Sequence, residues 1–471
     1  MNKSIWDNID YDVCDSLSED IETDVLIVGG GIAGMSACYH LRNSGLKITL
    51  IDRESCGRGV SLYTTGKLTY LQKLNYYKLE KDFGFEKAKD YLFATKGIIE
   101  EVEKIIEINN IDCDFKKVPS YVVANKKEDL KYFEMEKSFL DRCNVHSELY
   151  LETPYGDNQY TLKVTDGAVF HPYKYITSLK DICLKNGVRI YENTIAFKMR
   201  REGKNTVVET DGGEIKSKYI VIATHFPFVN FPGFYFMRMH LDRSYVNVCK
   251  GNGEYTSITA NDPVKSIRFH DEYLLFGGSN HPLSMKFNYE NKHNKLESLR
   301  KKYFPNNTIM SWSTHDCISQ DGLPYIGKFN GYNNVFVATG FNKWGMTNGS
   351  ISGKIISDLI QGNENKYIDL FSPSRKINIK NFTKDLMTSA SNFFSTSENN
   401  KIIYVNNGKV TKKKIVKTIE DEEYIVDRKC PHLGCKLFFN DTDQTWDCPC
   451  HGSRFNIKGE VIQGPSTKNI S

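Results

Sequence analysis

Apolar and polar residues fall into four patterns along this chain. Near the N-terminus, Asp24-Val-Leu-Ile-Val28 is a short apolar run, and a second, Lys47-Ile-Thr-Leu-Ile51, ends at Asp52. Such brief unbroken runs predict strands covered on both faces, as in a parallel sheet. Between them lie a glycine cluster and a helical stretch from Met35 to Ser44. Over about 76 to 167 and 229 to 319 the pattern turns aromatic and alternating, as in Ser266-Ile-Arg-Phe-His270 and Glu272-Tyr-Leu-Leu-Phe276. Alternation predicts half-buried sheet strands. From Ser372 to Asn400, Ser, Asn, Lys and Thr dominate, apart from a short helical stretch near Phe382 to Phe393, so a linker is expected over 376–400. Residues 401–471 read as short strands and turns. No repeat is evident, and no run approaches the ~18 apolar residues of a membrane-spanning helix.

Composition adds bounds. The 471 residues allow two or three domains. The 62 basic and 58 acidic residues are intermixed and leave a net charge of +4, so no large single-sign field recommends a nucleic-acid or membrane partner. The run Lys412-Lys413-Lys414 reads as solvated surface. The opening MNKSIWDNIDYDVCDSL has no apolar core or cleavage site of a signal peptide, and a cytoplasmic protein is expected. Cys14, Cys38, Cys56, Cys113, Cys143, Cys183, Cys249 and Cys317 are expected to be buried small hydrophobes.

The glycine cluster carries the first chemistry. Gly29-Gly-Gly31-Ile-Ala-Gly34 joins strand to helix as G-x-G-x-x-G, and Asp52 follows Gly34 by eighteen residues. Glycines let the backbone approach a pyrophosphate at a helix N-terminus, where free N–H groups favour an anion, and the acid can accept from ribose hydroxyls. Gly251-Asn-Gly253 and Gly277-Gly278 lie in no strand–turn–helix unit, so one dinucleotide is predicted rather than two.

The second chemistry is C-terminal. Cys430-Pro-His432-Leu-Gly-Cys435 and Cys448-Pro-Cys450-His451-Gly-Ser453 form a C-x-H and a C-x-x-H box, with fifteen residues between His432 and Cys448. Two thiolates and two imidazoles suit a 2Fe-2S cluster held at one iron by Cys430 and Cys448 and at the other by His432 and His451. A tetrahedral zinc site uses the same donors, but its usual spacing pairs Cys with Cys and His with His.

Both boxes closely resemble the two loops of the Rieske family. That resemblance implies a disulfide between Cys435 and Cys450. High-potential members carry a tyrosine two residues after the box serine; here Ser453 is kept and the position is Phe455. One donor to cluster sulfur is then missing, and an intermediate potential within the family's roughly −150 to +300 mV is expected.

The remainder resembles the D-amino-acid oxidase and glycine oxidase superfamily, over about residues 22 to 375. Gly57-Arg-Gly59-Val-Ser61-Leu-Tyr-Thr64-Thr65-Gly66-Lys67 is similar to its loop under the flavin, and Gly187-Val-Arg-Ile-Tyr191-Glu-Asn-Thr194 to its strand on the adenine side. Ile220-Val-Ile-Ala223-Thr224-His225 is similar to another strand end. Asp321-Gly-Leu-Pro324-Tyr-Ile-Gly327 and Val335-Phe-Val-Ala338-Thr339-Gly340-Phe341, leading to Gly345, Met346 and Thr347, are similar to its final flavin segment. The resemblance implies FAD. Some sarcosine oxidases attach it through a cysteine where this chain has Thr314, with Cys317 three residues on, so noncovalent FAD is expected.

The expected fold is an α/β flavin-binding, Rossmann-like domain with a discontinuous α+β substrate domain, followed by a small all-β Rieske domain. Over residues 1–375 the FAD-binding parts are about 22–75, 168–228 and 320–370, and the substrate parts about 76–167 and 229–319; the Rieske domain is 401–471.

The resemblance implies hydride transfer from a small amine or amino acid. Candidates facing the substrate are Arg268, whose guanidinium could fork onto a carboxylate, with Tyr245 and His281; His225, Lys343 and Trp344 are expected near the flavin. Fusion to a cluster points to a dehydrogenase delivering electrons to an external carrier. The reverse direction, in which flavin reduces a substrate, and a sensing or structural role for the cluster are alternatives. A Rieske-type oxygenase is disfavoured, because no 2-His-1-carboxylate set is recognisable.

Overall fold

The computed structural model describes residues 3–229, 231–283, 292–375, 401–406 and 411–470. The linker and the helical stretch near Phe382 to Phe393 lie outside the described residues.

The strand Ile21–Val28 occupies the centre of a sheet, parallel to Glu214–Ile222 on one side and Ile48–Ile51 on the other, with Val28 level with Ile222 and Ile51. Val335–Thr339 and Arg189–Tyr191 extend the parallel core outward, and Tyr325–Lys328 closes one edge antiparallel. The hairpin Ala196–Glu202 and Asn205–Thr210 completes eight strands among the described residues. Val25, Leu26 and Ile27 are fully buried, as unbroken apolar runs covered on both faces require. The helix Ile32–Leu41 packs on this sheet, with Gly345–Gln361 against it. Gly34 makes that packing possible: a Cβ there would lie 1.8 Å from the Gly29 carbonyl oxygen.

A second sheet runs Met310–Ser319, Met239–Lys250, Tyr273–Pro282, Lys265–His270, Thr256–Thr259, Lys116–Val123, Tyr160–Val169 and Lys67–Leu68, with Glu148–Leu151 beside Tyr160–Val169. It is antiparallel except where Thr256–Thr259 meets Lys116–Val123. Helices Tyr76–Phe83, Phe85–Asn109 and Leu130–Arg142 complete this α+β part. Glu136, fully buried, accepts from the backbone N–H groups of Asn75, Tyr76 and Tyr77 and so caps the helix Tyr76–Phe83 from outside.

The C-terminal part is all β. It has a three-stranded antiparallel sheet, Lys401–Asn406, Thr411–Ile419 and Glu422–Asp427, and a four-stranded one, Phe438–Asn440, Thr445–Asp447, Arg454–Phe455 and Val461–Gln463. Val426, Leu437, Trp446, Phe455 and Ile470 form its core with Cys430 and Cys448.

Candidate functional site

A cavity of about 670 Å³ opens where the two sheets meet. The glycine turn lines one end with Gly29 and Gly31, and Asp52 at the end of the next strand lies beside them. Asp52 accepts from the N–H groups of Gly30 (2.6 Å) and Glu54 (2.9 Å). Burial nevertheless pushes its carboxyl up to about 6, against those two donors. Ser61, Thr65, Thr194, Ala223, Thr224, Phe341, Gly345 and Met346 line the same cavity. An elongated cleft with an anion-binding glycine turn, a ribose-type acid and a helix N-terminus at Gly345 fits FAD, which these residues would hold.

Five residues singled out for the cofactor do not line it. Gly34 is packed on Gly29, and Gly66 lies against Arg268 and the Phe170 carbonyl. Gly340 lies against Met239 and Tyr325. Thr347 exchanges hydrogen bonds with Thr69. Asp321 is clamped by Arg375 at 2.7 and 2.8 Å. Their motifs shape the cleft from outside.

Of the substrate candidates, Tyr245 and His281 line the cavity and are hydrogen-bonded to each other at 3.1 Å. Burial holds His281 down at about 4, so it is neutral at pH 7. His225, Lys343 and Trp344 also line it. Arg268 does not. It is fully buried, donates to the carbonyls of Thr65 (2.5 Å) and Phe170 (2.8 Å), and stacks on Trp6 at 4.5 Å. Its role is to brace the loop over which Thr65 reaches the cavity, not to receive a carboxylate.

Strain marks the cavity wall. His225 (φ 64°), Asn342 (φ 54°) and Lys343 (φ 71°) are left-handed, and all three line the cavity. Non-glycine residues hold that conformation at a cost of about 1–3 kcal/mol each, and such strain clusters at functional sites. The Lys343 ammonium is held 3.3 Å from Asp242. Asp316, pushed up to about 6 by burial, and Lys73, lowered to about 8 by burial, share this polar end. Sequence reasoning gave no site role to Lys67, Lys73, Asp242, Asn280 or Asp316, because they come from four separate stretches that only the sheet order brings together.

In the C-terminal part the two boxes form matched turns. The Cys430 N–H donates to the Cys435 carbonyl (2.8 Å) and that of Gly434 to Cys430 (2.9 Å); in the other loop the Cys448 N–H donates to Ser453 (2.8 Å) and that of Gly452 to Cys448 (3.1 Å). Cys435 and Cys450 are joined by a disulfide that ties the loops together. The Cys448 sulfur lies within 4.8 Å of both, but bridged sulfurs are not ligands. Cys430 and Cys448 are both buried in the core of this part, and the rings of His432 and His451 are 4.9 Å apart. His451 is 7 % exposed, and its Nδ1 has no hydrogen-bond partner. Two thiols beside two imidazoles, one with a buried orphan nitrogen, fit a 2Fe-2S cluster.

The cluster loops are seated on the cavity wall. Phe226, which lines the cavity next to His225, has its ring centroid 5.5 Å from that of His451 and 6.5 Å from that of His432. A Cβ on Gly452 would lie 2.7 Å from His315 Nε2, so only glycine permits this approach. Buried Arg243, from the large sheet, reaches Asp443 (2.9 Å) and Asp447 (2.7 Å) of the C-terminal part. At the Asp52 end, Arg53 donates to the Ser466 carbonyl (2.9 Å), and Ile462 to Pro465 line the cavity.

Comparison with known proteins agrees with this geometry. Residues 24–359 match the family model described as FAD dependent oxidoreductase, and residues 396–471 match the Rieske [2Fe-2S] domain. The Bacillus subtilis protein YhfW, whose name describes it as a Rieske 2Fe-2S iron-sulfur protein, is 30% identical over 97% of this chain and 94% of its own length. Glycine oxidase of Geobacillus kaustophilus superimposes with a TM-score of 0.64 at 18% identity, covering 76% of this chain and all of its own. L-proline dehydrogenase from P. horikoshii superimposes with a TM-score of 0.65 at 16% identity, covering 77% and 98%. No helix among the described residues is long and apolar enough to cross a membrane.

Proposed function

The chain belongs to the FAD dependent oxidoreductase family and carries a C-terminal Rieske domain, and from that premise we propose that it is a dehydrogenase of a small amine or amino acid that passes electrons through the cluster to an external carrier. The observation that carries this reading is Phe226: one face of its segment lines the cofactor cavity, and its ring packs on cluster ligand His451. An acceptor domain locked one aromatic ring from the flavin cleft suits a relay. Relatives named for oxidising glycine and for dehydrogenating L-proline share the fold and suggest the amine class.

Bound FAD would supply the two-electron oxidation of a carbon next to nitrogen and the return of those electrons one at a time. The protein's share is position and charge. Gly29, Gly31 and Asp52 hold the dinucleotide end, while the helix beginning at Gly345 turns the positive end of its dipole to the cleft. Tyr245 and neutral His281 offer a hydrogen-bonding pair at the substrate end, and Lys343 with Asp242 sets its charge pattern. Ile462 to Pro465 add a wall from the C-terminal part.

A Cys448→Ser variant tests the relay. It should still bleach its flavin anaerobically with substrate, yet lose sustained turnover with cytochrome c as a protein-sized one-electron acceptor. Turnover equal to that of the parent protein would instead favour a sensing or structural cluster.

A further inference from the structure

Lys67 ends the segment Gly57 to Lys67, has been given no role of its own above, and lines the cavity from the strand Lys67–Leu68. Its side chain is buried, 8 % exposed, and its Nζ donates to the Ser257 carbonyl (2.9 Å) and to Ser266 Oγ (2.8 Å). Among the described residues no carboxylate lies within 4.0 Å of it. A buried ammonium without a counter-ion is costly. A neutral amine has two N–H bonds and one lone pair; the two acceptors on the sheet use both N–H bonds and leave the lone pair as the remaining direction of a cavity-lining group.

Resting on the amine reading above, we propose that the Lys67 amine is the base that deprotonates the substrate's ammonium group before its carbon–hydrogen bond breaks. A primary-amine substrate enters as R2CH–NH3+, and a secondary one differs only in carrying a carbon in place of one N–H hydrogen. Its N–H proton passes to Nζ, giving R2CH–NH2 and a lysine ammonium; the C–H bond then breaks as hydride leaves for oxidised FAD, and the nitrogen lone pair forms the C=N bond of an iminium. FAD is thereby reduced by two electrons, and the lysine proton returns to cavity water.

The electrostatics agree. Burial foremost, with the charge of Arg268 acting in the same direction, lowers Lys67 to about 7. Lys73, Lys343, Asp242, Asp262 and Asp316 also line the cavity, with Tyr245 and His281; the charge that acts on Lys67 is none of these but Arg268, which lies outside the cavity lining. An aliphatic ammonium, with a pKa of about 10, is only about one part in a thousand free amine at pH 7. A base poised near the working pH typically supplies about 10²- to 10⁴-fold.

Two measurements on the FAD-loaded protein decide the matter. Competitive labelling of the oxidised protein with acetic anhydride, read by peptide mass spectrometry, should show Lys67 titrating near 7; titration near 10 overturns the proposal without reference to any substrate. Anaerobic flavin bleaching with glycine, sarcosine, L-proline and putrescine should speed up as pH rises through about 7. In Lys67→Met, which removes a buried amine and should fold, the rate at pH 7 should drop about a hundredfold or more and recover toward pH 10. Lys67→Arg, which stays charged, should show the same loss. A bleaching profile unchanged in both variants overturns the role of Lys67 while leaving the amine reading intact. No bleaching with any of the four amines overturns both, and the labelling result then separates a neutral lysine from its proposed use.

Discussion

Asp443 is the carboxylate on which docking of the cluster domain depends, and Asp443→Asn is its sharpest test. Its Oδ2 accepts from Arg243 (2.9 Å), Ser313 (2.6 Å), Asn440 (3.0 Å) and Arg454 (3.1 Å). Arg243 and Ser313 come from the large sheet, so the contact spans the interface. Burial acts to raise this carboxyl, but His293, Arg454, Arg243 and Ser313 outweigh it and hold it well below the usual carboxylate range. Arg243 and Arg454 are almost wholly buried, and the substitution takes a shared carboxylate from both while leaving Asp447 beside them at 2.7 and 3.4 Å. Breaking one partner of a buried pair costs about 3–5 kcal/mol; with Asp447 still in place we take about 3. At about 1.4 kcal/mol per factor of ten, the ratio of docked to undocked cluster domain falls by about a hundredfold. Hydrogen exchange of the interface amides between Asn440 and Asp447, which reports the undocked fraction, should speed up about a hundredfold at pH 7, while flavin bleaching itself is unaffected. The sign with pH follows from the depressed carboxyl: its stabilisation is complete above about pH 4, the unfolded carboxylate range, and is lost as pH falls through the folded value. The parent interface should therefore weaken in acid and the variant's should not. A variant whose interface exchange rates stay within twofold of the parent's would refute this account of docking.

Three further expectations can be checked independently. Glu136→Ala should strand three backbone N–H groups at the start of Tyr76–Phe83 and cost about 2–4 kcal/mol, read from the guanidinium unfolding midpoint. Burial pushes Glu136 up to about 7 against those donors, so its site loses stability as pH rises from about 4 toward 7, and Glu136→Gln should flatten that slope. Phe455→Tyr should raise the cluster potential: a hydrogen bond worth about 1 kcal/mol more to the reduced state is about 40 mV for one electron, and film voltammetry with no rise would deny that Phe455 withholds a donor. Acid precipitation should release the yellow cofactor into solution, since Thr314 stands where a cysteine would attach it; colour retained on the protein would point to Cys317, which also lines the cavity.

Local chemistry was legible in the sequence where neighbours in the chain are neighbours in space. Asp24 to Asp52 could be read as strand, turn, helix and strand because each step closes within a few residues, and each cluster box is one turn. The cavity's polar end was not legible, because Lys67, Asp242 and Asp316 come from three strands whose order only the folded sheet reveals. Arg268 misled for a related reason: an arginine on an alternating strand looks the same whether it faces a cavity or a bed of carbonyls. The Arg243–Asp443 pair, 200 residues apart, carries no local signal at all. Trp6, fully buried beside His171 and His270, likewise belongs to a segment with no apolar periodicity to announce it.

The relay itself is tested most directly by mixing the FAD- and cluster-loaded protein anaerobically with an amine that bleaches its flavin, and following flavin absorbance and cluster EPR in the same shots. The cluster loops packed on Phe226 require that flavin bleaching be followed by cluster reduction without added mediator. Flavin that remains reduced beside a cluster that remains oxidised would contradict the relay.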